Sequence, residues 1–226
     1  MIYIRGHHSD FDDWQALGNP GWSFADVLPF FRKSEMHQSG SSELHGGEGE
    51  LYVGRAHRHV ATEAFVEAAI QAGHSSTSDF NGAQQESIGY YDVTIRDGRR
   101  WSTATAFLKP IRHRENLTVL TGAHVERVLL QGKQATGVQA LIKGRRLELK
   151  AHKEVLLAAG AFGSPHLLML SGIGPEAELK PLGIAVQHEL PGVGQHLQDH
   201  PDIMLCYKSR DTALLGLSRG GNMKMG

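Results

Sequence analysis

The chain has 226 residues, a formal net charge of −1, and 40% hydrophobic and 21% charged residues. This is ordinary globular composition, with enough chain to bury a core. It excludes the concentrated basic stripe of a nucleic-acid binder, and no run of 18 apolar residues implies a membrane span. The single cysteine, Cys206, leaves no intrachain disulfide. With no secretory signal at the start, the expected compartment is the cytoplasm. The 14 histidines match no zinc spacing, and one thiol cannot complete a Cys/His set, so no metal is expected.

The first 35 residues predict two short helices. One covers 10–17 and is closed by Gly18 and Asn19-Pro20. In the second, Ser23 and Asp26 form a capping box, and Phe24, Val27, Leu28 and Phe31 share a face. Residues 37–50 read as a loop. A third helix is expected over 60–72, with Gly73 ending it. Residues 75–100 are polar and irregular, with turn signals at Asn81-Gly82 and Asp97-Gly98. A fourth helix, 102–108, stops before Pro110. The period then changes to that of strands, over 117–120, 124–130, 135–142 and 145–151. Leu147, Leu149 and Ala151 alternate with polar residues like a half-buried antiparallel strand. The run Val155-Leu156-Leu157-Ala158-Ala159 is continuously apolar, which predicts a parallel strand over 154–159 buried on both faces. Ser164-Pro165 then reads as the start of a helix over about 164–170. The fold class is α/β, of mixed α+β character, with an antiparallel meander over 117–152.

Strand, glycine and capped helix in this order have a physical use. Ala158, Ala159 and Gly160 carry little or no side chain, so a ligand can approach the backbone. A helix N-terminus offers free N–H groups to an anion. A bare strand-to-helix turn without a ligand fits the same pattern.

Several segments resemble the glucose-methanol-choline (GMC) oxidoreductases. Gly160-Ala-Phe-Gly-Ser164-Pro165-His-Leu-Leu-Met-Leu-Ser171-Gly172-Ile-Gly174 is similar to the long second signature of that family. Met1-Ile-Tyr-Ile-Arg5-Gly6, Leu28-Pro29-Phe30-Phe31-Arg32-Lys33-Ser34-Glu35, His45-Gly46-Gly47-Glu48-Gly49 and Asp79-Phe80-Asn81-Gly82 also match. So do Gly98-Arg99-Arg100-Trp101-Ser102-Thr103 and the segment from Leu190 to Pro201, and the likeness is to the choline and alcohol dehydrogenase branch.

The resemblance implies FAD as cofactor, a small alcohol as substrate, and an FAD-dependent choline or alcohol dehydrogenase or oxidase. It implies that residues 1–190 are part of the FAD-binding domain, with 37–100 contributing to the lid or substrate side, and that 191–226 begin the substrate domain. Carried over position by position, Val125 holds the adenine through its backbone. Ala159 and Gly160 line the ADP portion, Ser164 lies beside it, and Ile2 falls where the chain passes the isoalloxazine ring. The family's opening Gly-x-Gly-x-x-Gly has no counterpart in these residues. Nor does its C-terminal catalytic histidine, so no catalytic residue is assigned, and His196 and His200 are read as structural. In isolation the 226 residues are expected to bind FAD weakly and to turn nothing over. Two other readings stay open: a non-catalytic nucleotide-binding or interaction fragment of the same fold, and a histidine-rich metal binder.

Overall fold

The computed structural model describes residues 1–206. The chain divides into two compact units, one of residues 1–117 and one beginning at Thr118. The expected segment 191–226 extends past the described residues.

The first unit contains β1 (Ile2–Tyr3), α1 (His8–Ala16), α2 (Phe24–Ser34), β2 (Glu35–His37), β3 (Leu51–Arg55), α3 (Val60–Gln71), β4 (Asp92–Val93), β5 (Ile95–Arg96) and β6 (Arg99–Arg100). The capping box of α2 is present: Ser23 Oγ accepts from the Asp26 N–H and Asp26 Oδ2 accepts from the Ser23 N–H. Phe24, Val27, Leu28 and Phe31 are the shielded positions of α2, while Ala25, Asp26 and Phe30 face outward, as the spacing predicts. Phe31 meets the buried Phe11 of α1 with ring centroids 5.7 Å apart. The helix α3 forms where expected, but its Ala/Phe face is open in this unit. The sheet order is β1-β4-β3-β2, with β2 parallel to β3 and the other pairs antiparallel. Asp97 and Gly98 take positive φ in the tight turn of the β5–β6 hairpin. Instead of one helix over 102–108, a π-helical turn covers Ala104–Leu108 and a 3-10 turn covers Lys109–Ile111.

In the second unit the meander is β7 (Ala123–Gln131), β8 (Gln134–Ile142) and β9 (Arg145–Lys150), antiparallel in that order. It is followed by α4 (Gly160–Leu170), β10 (Ile173–Gly174), α5 (Glu176–Leu179) and β11 (His188–Glu189). The meander turns fall in the gaps between the expected strands, with Gly132, Lys143 and Gly144 all in the left-handed region. The core gathers Val128 of β7, Ala140 of β8, Leu167 of α4, and Leu179.

Four further expectations need correction. No strand forms over 117–120. Residues 154–159 are not a buried parallel strand: they pair with nothing, and Leu156 is 80% exposed. A continuous apolar run becomes a strand only where neighbouring strands take its peptide groups, and none among the described residues lies beside it. The side chains of β9, Leu147 and Leu149 included, are exposed rather than half-buried. The helix α4 begins at Gly160, four residues before Ser164, so Pro165 sits inside it rather than at its first position.

Candidate functional site

Four charged side chains meet inside the first unit. Glu35, at the junction of α2 and β2, is fully buried. Its Oε2 accepts from Arg5 Nη2 at 2.9 Å, from the Gly46 N–H at 2.8 Å and from His45 Nδ1 at 3.1 Å. The other ring nitrogen of His45, Nε2, lies 2.9 Å from Asp79 Oδ2. Arg5 reaches further: Nη1 donates to the Leu44 carbonyl and its N–H donates to Asn81 Oδ1, both at 2.7 Å. The glycine loop makes this approach possible. A Cβ at Gly46 would lie 1.8 Å from the Arg32 carbonyl oxygen, and one at Gly49 would lie 2.3 Å from the Ser34 carbonyl carbon.

A second cluster adjoins it. Asp92, opposite Tyr3 in the β1–β4 ladder, lies 3.3 Å from His37 Nε2 and 3.3 Å from Arg55 Nη1. The rings of His37 and His45 pack with centroids 4.2 Å apart.

The electrostatics follow from the contacts. The hydrogen bond to Asp79, then that to Glu35, pushes the His45 imidazolium up to about 9 against the opposing effect of burial. Burial pushes Glu35 upward, but its bond from His45, the charge of Arg5 and the Gly46 N–H outweigh this and hold its carboxyl below the usual range. Asp79 is likewise held low, chiefly by His45.

In the second unit the geometry is set by one extra residue. Val125 stands opposite Ala140, and Arg127 opposite Gln139, so Glu126 is a bulge in β7. Directly opposed residues in antiparallel strands alternate between pairs that exchange hydrogen bonds and pairs that do not. Ala140 and Val138 are two apart on β8, which runs unbroken against β9. Val125 and Val128, opposite them, therefore stand in the same kind of pair despite being three apart. Val128 turns its N–H away from β8 and donates it to Ser171 Oγ at 2.8 Å. Thr136, of the same parity as Val138 and Ala140, accepts from the Ala151 N–H on the β9 side. Val125 accordingly presents its own N–H and C=O to the outer edge of the sheet, where no described strand pairs with it.

Helix α4 packs against β7. Ser171, just after it, holds the two together, since its hydroxyl also donates to the Leu167 carbonyl at 2.6 Å. At the start of α4 the Ser164 hydroxyl accepts from the Ala159 N–H at 3.0 Å, which closes the turn. Gly160 has φ +83°, and a Cβ built there meets nothing within 4 Å. The backbone at Gly160 is thus left-handed and open to a ligand.

The sequence profile of the GMC oxidoreductases matches residues 1–202. The chain belongs to the GMC oxidoreductase family. Among curated relatives of this GMC oxidoreductase chain, the mitochondrial choline dehydrogenase of Homo sapiens is 48% identical over 206 residues, covering 91% of this chain and 35% of that protein. The oxygen-dependent choline dehydrogenase of Rhizobium johnstonii is 46% identical over 88% of this chain and 36% of that one. The chain thus spans roughly a third of the length of these relatives. Among solved structures, the FAD-dependent oxidoreductase from Chaetomium thermophilum superposes with a TM-score of 0.82 at 33% identity, over 88% of this chain and 37% of that chain. Pyridoxine 4-oxidase from Mesorbium loti gives 0.79 at 35% identity, over 84% and 38%.

In this GMC oxidoreductase chain the five residues expected to contact a cofactor are distributed over both units. Ala159, Gly160 and Ser164 come together in one turn, and Val125 lies on the strand against which the following helix packs. Ile2 lies in the first unit, 61% exposed, on a cleft with Phe65, Tyr90, Tyr91 and Val93. His196 and His200 are exposed. Sequence reasoning missed Arg5, Glu35, His45 and Asp79 as a group, although each stands in a segment quoted above for its likeness to the family. It also missed the role of Ser171. Their shared signal was position inside a motif; what joins them is tertiary.

Proposed function

We propose that this chain is the flavin-binding portion of an FAD-dependent oxidoreductase that oxidises the CH–OH group of a small alcohol, choline or one like it. The observation that carries the reading is the outward-turned backbone of Val125. A peptide N–H and C=O side by side on a free strand edge match the donor and acceptor pattern of an adenine edge. The open, left-handed backbone at Gly160 supports it, because a diphosphate can come closer to a residue without a side chain. In this reading Val125 holds the adenine, Ala159 and Gly160 line the ADP portion with Ser164 shaping the turn, and Ile2 lies beside the flavin ring. The bound FAD would accept the substrate's hydride. This chain's part is to bind and orient it. Residues 1–190 then belong to the FAD-binding domain, with 37–100 toward the lid or substrate side, and 191 onward begins the substrate domain. Choline as substrate is supported by the names of the curated relatives above. A cytoplasmic location, supported by a lone cysteine, completes the reading. Among the described residues no helix is long and apolar enough to cross a membrane.

Two-dimensional amide NMR of the chain tests the cofactor assignment. FAD and ADP at millimolar concentration are expected to shift resonances in 123–128 and 159–164, while FMN, which has no adenine, leaves 123–128 unmoved. Val125→Pro, which deletes the outward N–H, should weaken the FAD response about tenfold, the worth of one hydrogen bond. If FAD moves neither segment, the reading falls.

A further inference from the structure

His45 is placed between two carboxylates, Glu35 on Nδ1 and Asp79 on Nε2. A carboxylate can only accept, so each bond requires a hydrogen on the ring nitrogen, and the ring must be an imidazolium. The other charges support this. Arg5 and Arg55 are cations, and Glu35, Asp79 and Asp92 are carboxylates. A protonated His45 brings the two clusters to three charges of each sign, and its loss would leave an uncompensated anion in a buried site. The groups that face His45 are Glu35 and the adjoining ring of His37 from β2, Asp79 from the loop before β4, and Arg5 beyond Glu35.

The relay ends on β1. Arg5 is bound through its guanidinium to Glu35 and Leu44, through its N–H to Asn81, and through its carbonyl to Gln85 Nε2. The Tyr3 carbonyl accepts from Asn81 Nδ2. β1 itself has only two residues of ladder, Ile2 opposite Val93 and Tyr3 opposite Asp92. So short a ladder does not hold a strand by itself; the side-chain bonds at Arg5 and Asn81 do.

We propose that Arg5, Glu35, His45 and Asp79 are positioning residues that fix the segment Ile2–Arg5 as the surface on which the flavin ring lies, and that they do so only while both nitrogens of His45 carry hydrogen. The flavin-facing role of Ile2 rests on the reading given under Proposed function; the relay itself does not. The relay makes alkalinity its release. The folded His45 titrates near 9 against an ordinary 6.5. Its contribution is therefore complete below about 6.5, declines as pH rises, and is gone above about 9.

Hydrogen exchange of the 226-residue chain, read by mass spectrometry and corrected for intrinsic rates, tests this. Protection of the peptide covering 1–6 is expected to fall at least tenfold between pH 7 and pH 10 and to level off near 9. Peptides from β7 and β8 should show no such fall. In His45→Gln the protection of 1–6 should be low at pH 7 and flat with pH. Asp79→Asn, which keeps the Glu35 bond and takes the negative charge from the stronger one, should move the levelling point to lower pH. A group that merely filled space would leave that point where it was. A wild-type profile without the step, or the same step in His45→Gln, overturns the proposal. So does an unmoved levelling point in Asp79→Asn, which serves should His45→Gln not fold. The NMR titration with FAD then separates the two ideas. A pH-gated 1–6 segment in a chain that ignores FAD removes the flavin reading and keeps the latch. FAD shifts in a chain without the pH step do the reverse. With both present, loss of the latch in His45→Gln should abolish FAD shifts at Ile2 and Tyr3 but not at 123–128.

Discussion

The two units are held together by different physics. The first has a thin apolar core, and its interior is tied by polar and charged side chains, most of them buried, between residues at least ten apart in sequence: Arg5 with Glu35, Glu35 with His45, His45 with Asp79, His37 and Arg55 with Asp92. The second is an antiparallel ladder on which one helix is laid, with Val128, Ala140, Leu167 and Leu179 inside and one serine joining strand to helix. Buried ion pairs tolerate poor geometry badly, because desolvation cancels most of their attraction unless every partner is in place. Apolar contacts degrade in proportion to the area lost. The first unit should therefore fail abruptly when one group is removed, and the second gradually.

The substitution that breaks this comparison most directly is Glu35→Ala. It strands Arg5, His45 and the Gly46 N–H at once, and should cost about 3–5 kcal/mol. Urea unfolding followed by peptide-resolved exchange should show the first unit opening while β7–β9 keep their protection. If both units open together, they are not independent. Leu179→Ala is the matching change in the second unit. Leu179 is fully buried, and its truncation should cost about 2–5 kcal/mol there, with the 1–6 peptide unaffected. Ser171→Ala sharpens the contrast: it leaves the Val128 N–H without its partner, worth about 1–3 kcal/mol, and exchange of that one amide should accelerate. Arg146→Ala removes the exposed bridge to Glu126. It should leave the midpoint of urea unfolding unchanged, because solvent screens such a pair.

The same division decides what could be read from the chain itself. The meander was legible, since the strand-like runs over 124–130, 135–142 and 145–151 and the short breaks between them are local signals that act between neighbours. The capping box at Ser23 and Asp26, and the inward face of α2, were legible for the same reason. The apolar run at 155–159 misled because its composition records what a strand would need around it, not whether those neighbours are beside it. The relay was not legible as a relay. Arg5 and Glu35 are separated by two helices, and no spacing rule connects an arginine after one strand to a glutamate that begins another. For the residues proposed to meet the cofactor, the resemblance supplied Ile2, Val125, Ala159, Gly160 and Ser164. What the sequence could not supply was the reason Val125 turns its peptide groups the same way as the valine three positions later. That reason is the bulge.

Glu126 acts on β7 as a frameshift acts on a message. Ala123 to Val125 are read in one register and Arg127 to Leu129 in the other. Giving it a partner of its own, by inserting one residue into β8 opposite it, would restore strict alternation from Val125 to Val128. That would put Val125 into the opposite phase, its peptide groups turned inward against β8 and its neighbour's turned out. The free backbone edge at Val125 would be lost without one of its own atoms being changed.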